Sequence, residues 1–215
     1  MAFKNDQVSE KETEKITELA REALALDGDY VEMGCYKGDT SLLLAEIIFF
    51  GPRPAGPSPR AAGANSRAAA LRNAQKRQFS ANEHRLFIYD SFEGLPKKTT
   101  EDASVLGEDF KAGELAVTKR EVKERFLRAG LPVPVIVKGW FANLAPSDLP
   151  KKIAFAFLDG DFYESIRDSL KLVLPRMVEG GILVVHDYSN PALPGVKKAV
   201  SEFEAQLNDL KVVLL

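Results

Sequence analysis

The chain has 215 residues, 45% of them hydrophobic, and a formal net charge of −2 at pH 7. A chain of this length can bury one sizeable core and is short for two, so we expect a single domain over residues 1–215. The small net charge argues against nucleic acid or a membrane surface as the main partner, which leaves a small molecule as the expected ligand.

The N-terminal segment is charged where a secretory signal peptide would be apolar, with Lys4, Asp6 and Glu10 among its first residues. No later apolar run approaches the length of about twenty residues that a membrane-spanning helix needs. Cys35 is the single cysteine of the sequence, which excludes an intrachain disulfide and fits a reducing compartment. These features predict a soluble cytoplasmic protein, and they leave open whether it assembles as a homo-oligomer.

Apolar residues at helical spacing predict an amphipathic helix over residues 9–26, and Ser9 with Glu12 has the S-x-x-E pattern of a capping box. After this helix, short β-rich runs alternate with segments of helical length. The six predicted strands span residues 30–33, 86–89, 133–137, 153–158, 181–185 and 211–215. Such alternation is typical of βαβ units, and it predicts an α/β fold: a doubly wound, mainly parallel, Rossmann-like sheet between two layers of helices.

Residues 51–85 interrupt this alternation. They contain four prolines, many alanines and seven basic residues against the single acid Glu83. Such a segment has too few large apolar side chains for a core, so we interpret it as a flexible insertion with a short helix over residues 66–78. Its charge would also suit a polyanion or a partner protein. However, it connects a helix to the next strand, and such connections lie at the edge of a parallel sheet opposite the ligand-binding edge.

A glycine turn follows the first predicted strand and contains Gly34, Lys37 and Gly38 before a helix that begins near Asp39. Glycines allow the backbone to approach a ligand closely, and the free amides of a helix start favour a negative group. The spacing differs from G-x-G-x-x-G, which argues against a dinucleotide cofactor. The turn therefore indicates a nucleotide-like ligand, although a purely structural turn has the same pattern.

Asp90 ends the second predicted strand, where doubly wound folds place an acid that accepts hydrogen bonds from ribose hydroxyls. We predict this role for Asp90. The alternative is an aspartate that only caps a helix or shapes a turn.

Acidic residues follow the fourth and fifth predicted strands. Asp159 and Asp161 follow the fourth strand, and His186 and Asp187 follow the fifth. Three carboxylates at one edge of a sheet repel one another unless a cation or a proton separates them. Mg²⁺ and Mn²⁺ prefer oxygen ligands, and a bound cation makes a hydroxyl a better nucleophile. The pattern therefore predicts a divalent-metal site; the alternative is that Asp159 or Asp187 only caps the next helix.

Six sequence strings together resemble the macrocin O-methyltransferase family, often called TylF-like. The resemblance covers residues 29–203 apart from the insertion. The strings, in chain order, are VEMGCYKGDTS, IYDSFEGLP, KGWF, FLDGDFYESIRDSL, LPRMVEGGILVVHDY and PGVKKAVSEF.

The resemblance implies a metal-dependent enzyme that uses S-adenosylmethionine to methylate hydroxyls, typically on sugars of secondary metabolites. The cofactor residues that it implies are Glu32, Gly34 and Ser41 near the methionine end, Asp90 and Ser91 at the ribose, and Trp140 and Phe141 near the adenine. Lys37 and Gly38 of the glycine turn are further predicted cofactor-binding residues. Asp159 and Asp187 would be metal ligands, and we add His186, which lies next to Asp187, as a third candidate, with Mg²⁺ or Mn²⁺ as the expected ion. Asp161 would be the general base that takes the hydroxyl proton.

The sequence departs from the family pattern at His186, where relatives commonly carry a second acid. Imidazole suits Mn, Fe, Co, Ni or Zn better than Mg, so His186 is either a ligand that changes the metal or a residue that only orients Asp187. The segment before the first strand is short, and residues 142–144 read Ala-Asn-Leu where relatives tend to have an acid and a threonine.

Three other functions remain open at this level. The chain could bind the cofactor without catalysis, it could be a nicotinamide-dependent oxidoreductase on a similar fold, or its basic insertion could bind a partner or RNA. Residues 96–118 are long, polar and glycine-containing, which predicts a lid over the substrate.

Overall fold

The structure is a computed structural model that describes residues 7–51, 84–104 and 110–215. The first helix, α1 (Glu10–Glu22), begins at the predicted capping box. The Ser9 hydroxyl accepts a hydrogen bond from the Glu12 backbone N–H at 3.3 Å, and Glu12 Oε2 accepts one from the Ser9 N–H at 2.8 Å. This reciprocal pair satisfies two backbone donors that the helix itself leaves unpaired.

Within the described residues, six strands and four further helices follow α1. The strands are β1 (Asp29–Met33), β2 (Leu86–Asp90), β3 (Val135–Lys138), β4 (Ile153–Leu158), β5 (Met177–Val185) and β6 (Lys211–Leu214). The helices are α2 (Asp39–Phe50), α3 (Lys119–Ala129), α4 (Tyr163–Val173) and α5 (Pro194–Ser201).

The strands form one sheet in the order β3-β2-β1-β4-β5-β6, and each neighbouring pair is parallel. The order reverses between β1 and β4, whose last residues Met33 and Leu158 are paired. At such a reversal the connections leave the two strands in opposite directions, which opens a crevice at their carboxyl ends. The predicted doubly wound parallel fold is confirmed.

The two faces of the sheet bury separate apolar clusters. On β4, Phe155 and Phe157 pack with residues of α1, α2 and α3, whereas Ala156 and Leu158 pack with residues of α4 and α5. All six residues of β4 are buried, as expected for a central parallel strand covered by helices on both sides.

Two strand boundaries differ from the prediction. β3 begins at Val135 rather than at residue 133, since Pro134 has no N–H for the ladder. β5 begins at Met177, four residues before the predicted start. The register shifts between Ile153 and Phe155, and Gly180 has a φ of 68°, so the strand begins before an irregularity at which the prediction had placed its start.

The predicted helix over residues 66–78 lies outside the described residues, as does nearly all of the insertion. In the described part of the chain, none of the helices has the length and apolar character required to cross a bilayer.

Candidate active site

A cavity of about 490 Å³ lies at the carboxyl ends of β1, β2, β4 and β5. This is the edge of the sheet where the sequence predicted the ligand. The predicted site residues on its wall are Glu32, Gly34, Lys37, Asp90, Ser91, Trp140, Phe141, Asp159, Asp161, His186 and Asp187. The structure therefore brings eleven of the thirteen predicted residues to one cavity.

Gly38 and Ser41, the other two, do not line the cavity. Gly38 is the N-cap of α2 with a φ of 81°, so it shapes the turn rather than the wall. Ser41 is fully buried in the first turn of α2, and its hydroxyl donates a hydrogen bond to Glu32 Oε2. Ser41 thus orients a residue of the cavity wall from behind.

Glu32 is a buried carboxylate in the middle of the sheet, with 1% of its surface exposed. Burial raises the pKa of Glu32 to about 8, against the lowering effect of the Ser41 hydrogen bond. In the absence of a ligand, Glu32 therefore retains its proton at neutral pH. A buried carboxyl with a strongly shifted pKa in a crevice is typical of functional sites.

Gly34 lies directly against the backbone of the loop that follows β4. Its φ is 91°, and a Cβ at this position would collide with the backbone oxygen of Asp159. The glycine therefore permits close approach of the two loops that follow β1 and β4. This contact is a structural reason for Gly34 that the sequence pattern did not reveal.

Asp90 holds the glycine turn in place from the end of β2. Its Oδ2 accepts hydrogen bonds from the backbone N–H groups of Cys35 at 2.8 Å and Tyr36 at 3.3 Å, and its Oδ1 accepts one from Phe92 at 2.7 Å. These bonds agree with the alternative that Asp90 shapes a turn. Because Asp90 also lines the cavity, its predicted role at a ribose stays a prediction.

Arg125 of α3 supports the same turn from outside. It donates a hydrogen bond to the Lys37 carbonyl at 2.6 Å and forms an ion pair with Asp39 at the start of α2. The Lys37 ammonium lies 4.8 Å from the centre of the Tyr36 ring. The turn is thus bound on two sides, by α3 and by β2.

The predicted metal ligands form a compact cluster. Donor atoms of Asp159, His186 and Asp187 all lie within 4.8 Å of one another. His186 Nδ1 lies 3.0 Å from Asp159 Oδ1 and 3.0 Å from Asp187 Oδ2. Asn190 fixes the other oxygen of Asp187 by donating a hydrogen bond of 2.8 Å to Oδ1.

Residues with a left-handed backbone conformation recur at this edge of the sheet. Tyr36, Phe92, Asp161 and Asp187 have φ between 44° and 59° and follow β1, β2, β4 and β5 respectively. Aspartate tolerates this region better than most residues, but it still carries strain there. Strain that recurs where four neighbouring strands end is typical of a functional site.

The cluster has strong internal electrostatics. Burial lowers the pKa of His186, but hydrogen bonds and charges from Asp159 and Asp187 outweigh it and raise the value to about 11. Burial together with Asp159 and Asp187 raises the pKa of Asp161 well above its usual value. The negative charge concentrated at this edge is therefore only partly balanced by the imidazole.

The donor set fits a divalent cation. Two neighbouring oxygen or nitrogen ligands at about 2.1 Å from one octahedral ion stand about 3 Å apart. The two 3.0 Å separations at His186 Nδ1 agree with that spacing. Two carboxylates and one imidazole are also a set that such ions bind readily.

Glu12 is a residue of this site that sequence reasoning did not assign to it. Its Oε1 lies 3.8 Å from His186 Nε2, which brings the start of α1 to the cluster of Asp159, His186 and Asp187. The capping box indicated where Glu12 lies in α1, but no signal in the sequence placed α1 beside the end of β5. Asn190 lies in the loop directly after β5, at the predicted edge of the sheet, but its residue type alone did not assign it a role.

A family model for macrocin O-methyltransferases (TylF) matches residues 66–212, which is more than half of the chain. This match includes every predicted site residue from Asp90 onward. It begins inside the insertion, after β1 and α2.

Two curated relatives are O-methyltransferases of Streptomyces species. One is the 8-demethyl-8-(2,3-dimethoxy-alpha-L-rhamnosyl)-tetracenomycin-C 4'-O-methyltransferase of Streptomyces olivaceus, 28% identical over 185 residues that make up 83% of this chain and 59% of that protein. The other is the demethyldecarbamoylnovobiocin O-methyltransferase of Streptomyces niveus, 25% identical over 92% of this chain and 67% of that protein. The chain thus spans about three fifths to two thirds of their length.

Solved structures agree with the fold. The O-methyltransferase NovP matches with a TM-score of 0.62 and 26% identity over 92% of this chain and 72% of that chain. The calicheamicin methyltransferase CalS11 matches with a TM-score of 0.66 and 20% identity over 93% of this chain and 72% of that chain. At that identity, CalS11 supports the fold alone.

Proposed function

Because the chain belongs to the macrocin O-methyltransferase family, we propose that it transfers a methyl group from S-adenosylmethionine to a hydroxyl of a small molecule with the help of a divalent cation. The observation that carries the proposal is the position of Asp161 beside the cluster of Asp159, His186 and Asp187 in one cavity. A general base and a cation site next to a cofactor crevice are the parts that this reaction needs.

The part of the cavity at β1 and β2 suits the cofactor. Glu32, Gly34 and Lys37 would hold its methionine end, Asp90 and Ser91 its ribose, and Trp140 and Phe141 its adenine. All seven line the cavity, and the aromatic pair lies on the loop after β3, next to the end of β2. The bound cofactor would supply an electrophilic methyl group on a sulfonium.

Asp159, His186 and Asp187 would hold the cation, whose positive charge would lower the pKa of an acceptor hydroxyl. Asp161 would take the proton of that hydroxyl. The remaining work of the protein is to align the acceptor oxygen with the methyl group and to exclude water.

We further propose that the acceptor hydroxyl belongs to a sugar. The Streptomyces olivaceus relative is a 4'-O-methyltransferase of a rhamnosyl-tetracenomycin. Phe110 and Leu115, in the stretch predicted to be a lid, line the cavity next to these polar residues. An apolar cover over a polar site suits a sugar attached to a larger apolar molecule.

The test is calorimetry with S-adenosylhomocysteine, with and without Mn²⁺, followed by methyl transfer to a panel of glycosides and phenols. We expect cofactor binding, turnover on at least one glycoside, and loss of turnover with a chelator. Cofactor binding without turnover on any acceptor would support the non-catalytic alternative. Binding of NADH in preference to S-adenosylhomocysteine would support the oxidoreductase.

A further inference from the structure

His186 is held between carboxylates on both sides of its ring. Nδ1 faces Asp159 and Asp187 at 3.0 Å each, and Nε2 faces Glu12 Oε1 at 3.8 Å. The side chain is 6% exposed, so solvent contributes little to its orientation. These three acids therefore fix the orientation of the ring and determine which of its nitrogens keeps a proton when a cation binds.

Glu12 is itself fixed by the capping box of α1. Its Oε2 accepts the Ser9 N–H at 2.8 Å, which leaves Oε1 directed toward the imidazole. A separation of 3.8 Å is longer than a direct hydrogen bond, and a small shift of either side chain would close it. Glu12 therefore offers a fixed acceptor for a proton on Nε2.

We propose that His186 binds the divalent cation through Nδ1 and that Glu12 is a positioning residue, which holds the Nε2 proton and so keeps the Nδ1 lone pair directed at the metal. This inference rests on the proposed function, because it concerns the same cation site. A metal-binding histidine commonly donates its other ring N–H to a carboxylate, which sets the tautomer and raises the basicity of the ligand nitrogen.

An imidazole ligand changes which metals such a site prefers. A site of three carboxylates suits Mg²⁺, whereas one imidazole among the ligands favours Mn²⁺ and later first-row ions. The presence of His186 thus makes this a site for transition metals, and it links metal binding to the docking of α1 on the sheet.

Glu12→Gln tests the positioning role without removing the helix cap. Glutamine also completes a capping box, in which its oxygen accepts the Ser9 N–H. Its NH₂ group would then face His186 Nε2 and favour a lone pair there, which moves the proton to Nδ1 and blocks the ligand position. We expect the Mn²⁺ affinity to fall by about 10- to 100-fold.

Two control variants separate this effect from loss of charge and from loss of helix stability. Glu10→Gln removes a neighbouring exposed charge of α1, and Ser9→Ala removes the capping hydroxyl but keeps the N–H that binds Glu12. Both should retain the Mn²⁺ affinity of the wild type. An equal loss of affinity in Glu10→Gln and Glu12→Gln would overturn the positioning role.

Pulsed electron paramagnetic resonance of the Mn²⁺-loaded full chain tests the ligand. The wild type should show hyperfine coupling to a directly bound nitrogen, and His186→Asp should lose it while binding Mg²⁺ more tightly relative to Mn²⁺. Bound Mn²⁺ without nitrogen coupling in the wild type would overturn this inference alone. Failure to bind Mn²⁺, with turnover unaffected by a chelator, would overturn the metal part of the proposed function and this inference with it.

Discussion

The Asp90 carboxylate accepts a hydrogen bond of 2.8 Å from the backbone N–H of Cys35, so the end of β2 holds the turn that follows β1. The same carboxylate also accepts from the N–H groups of Tyr36 and Phe92. One acid thus binds two neighbouring loops of the cavity together. This relationship makes Asp90 a structural residue whether or not it contacts a ribose.

Asp90→Asn should reduce both stability and cofactor binding. The amide of asparagine would set an NH₂ group against at least one of three backbone donors, at a cost of about 1–3 kcal/mol in the free energy of unfolding. Urea unfolding and calorimetry with S-adenosylhomocysteine measure the two effects. Glu93→Gln, an exposed change on the same loop, is the control and should alter neither.

Asp161→Asn should abolish most turnover and leave cofactor binding intact. The residue has a φ of 59°, a conformation that asparagine tolerates as well as aspartate, so the backbone is retained. Loss of a general base typically costs about 10²- to 10⁴-fold in rate. Wild-type turnover in this variant would show that Asp161 is not the base.

Asp159→Ala should also abolish turnover, but through the metal. The substitution removes one of the two proposed oxygen ligands that face His186 Nδ1, so the affinity for Mn²⁺ should fall together with the rate. Cofactor binding should persist, since Asp159 is not among the residues proposed to hold the cofactor. A variant that turns over at the wild-type rate would contradict its assignment as a ligand.

Glu32 should make the ligand-free protein less stable as the pH rises. The folded chain keeps the proton of Glu32 up to its pKa of about 8, whereas the unfolded chain releases it near 4.5. Between these values the unfolded state binds fewer protons than the folded state. The stabilisation that the Glu32 proton gives to the folded state is therefore complete below pH 4.5 and is lost as the pH rises through 8. The free energy of unfolding should fall by up to about 1.4 kcal/mol per pH unit.

Denaturant unfolding from pH 5 to pH 8 measures this slope, and Glu32→Gln should flatten it. Glutamine can still accept the hydrogen bond from Ser41, so the local packing is kept. Equal slopes for the variant and the wild type would show that Glu32 does not titrate in this range.

Gly34→Ala should destabilise the protein more than Gly113→Ala does. Both glycines have a positive φ, of 91° and 86°, so alanine pays a similar conformational cost of about 1–2 kcal/mol at each. A Cβ at Gly34 also meets the Asp159 backbone, whereas at Gly113 it would meet nothing within 4 Å. The difference between their unfolding free energies isolates the contact between the loops after β1 and β4.

Much of the fold and of the cavity follows from local sequence patterns. The residues of β4 form an uninterrupted apolar run because both faces of a central parallel strand are buried, and the acids that follow it must then lie at the carboxyl edge. The family resemblance added the predicted general-base role of Asp161, which the pattern of acids alone does not assign. The start of β5 was harder to predict, because glycines occur both where a strand starts and at an irregularity within a strand.

Contacts between distant parts of the chain have no local signature, and here they determine how the site works. Glu12 lies in α1, whereas His186 follows β5, so most of the chain lies between them in sequence. Their approach depends on how α1 packs against β4 and β5. Likewise, the hydrogen bonds of Asp90 to the turn after β1 arise because β1 and β2 are adjacent. Hydrophobic periodicity specifies which elements form and which face is buried, whereas the pairing of polar side chains depends on the relative placement of elements that the core packing sets.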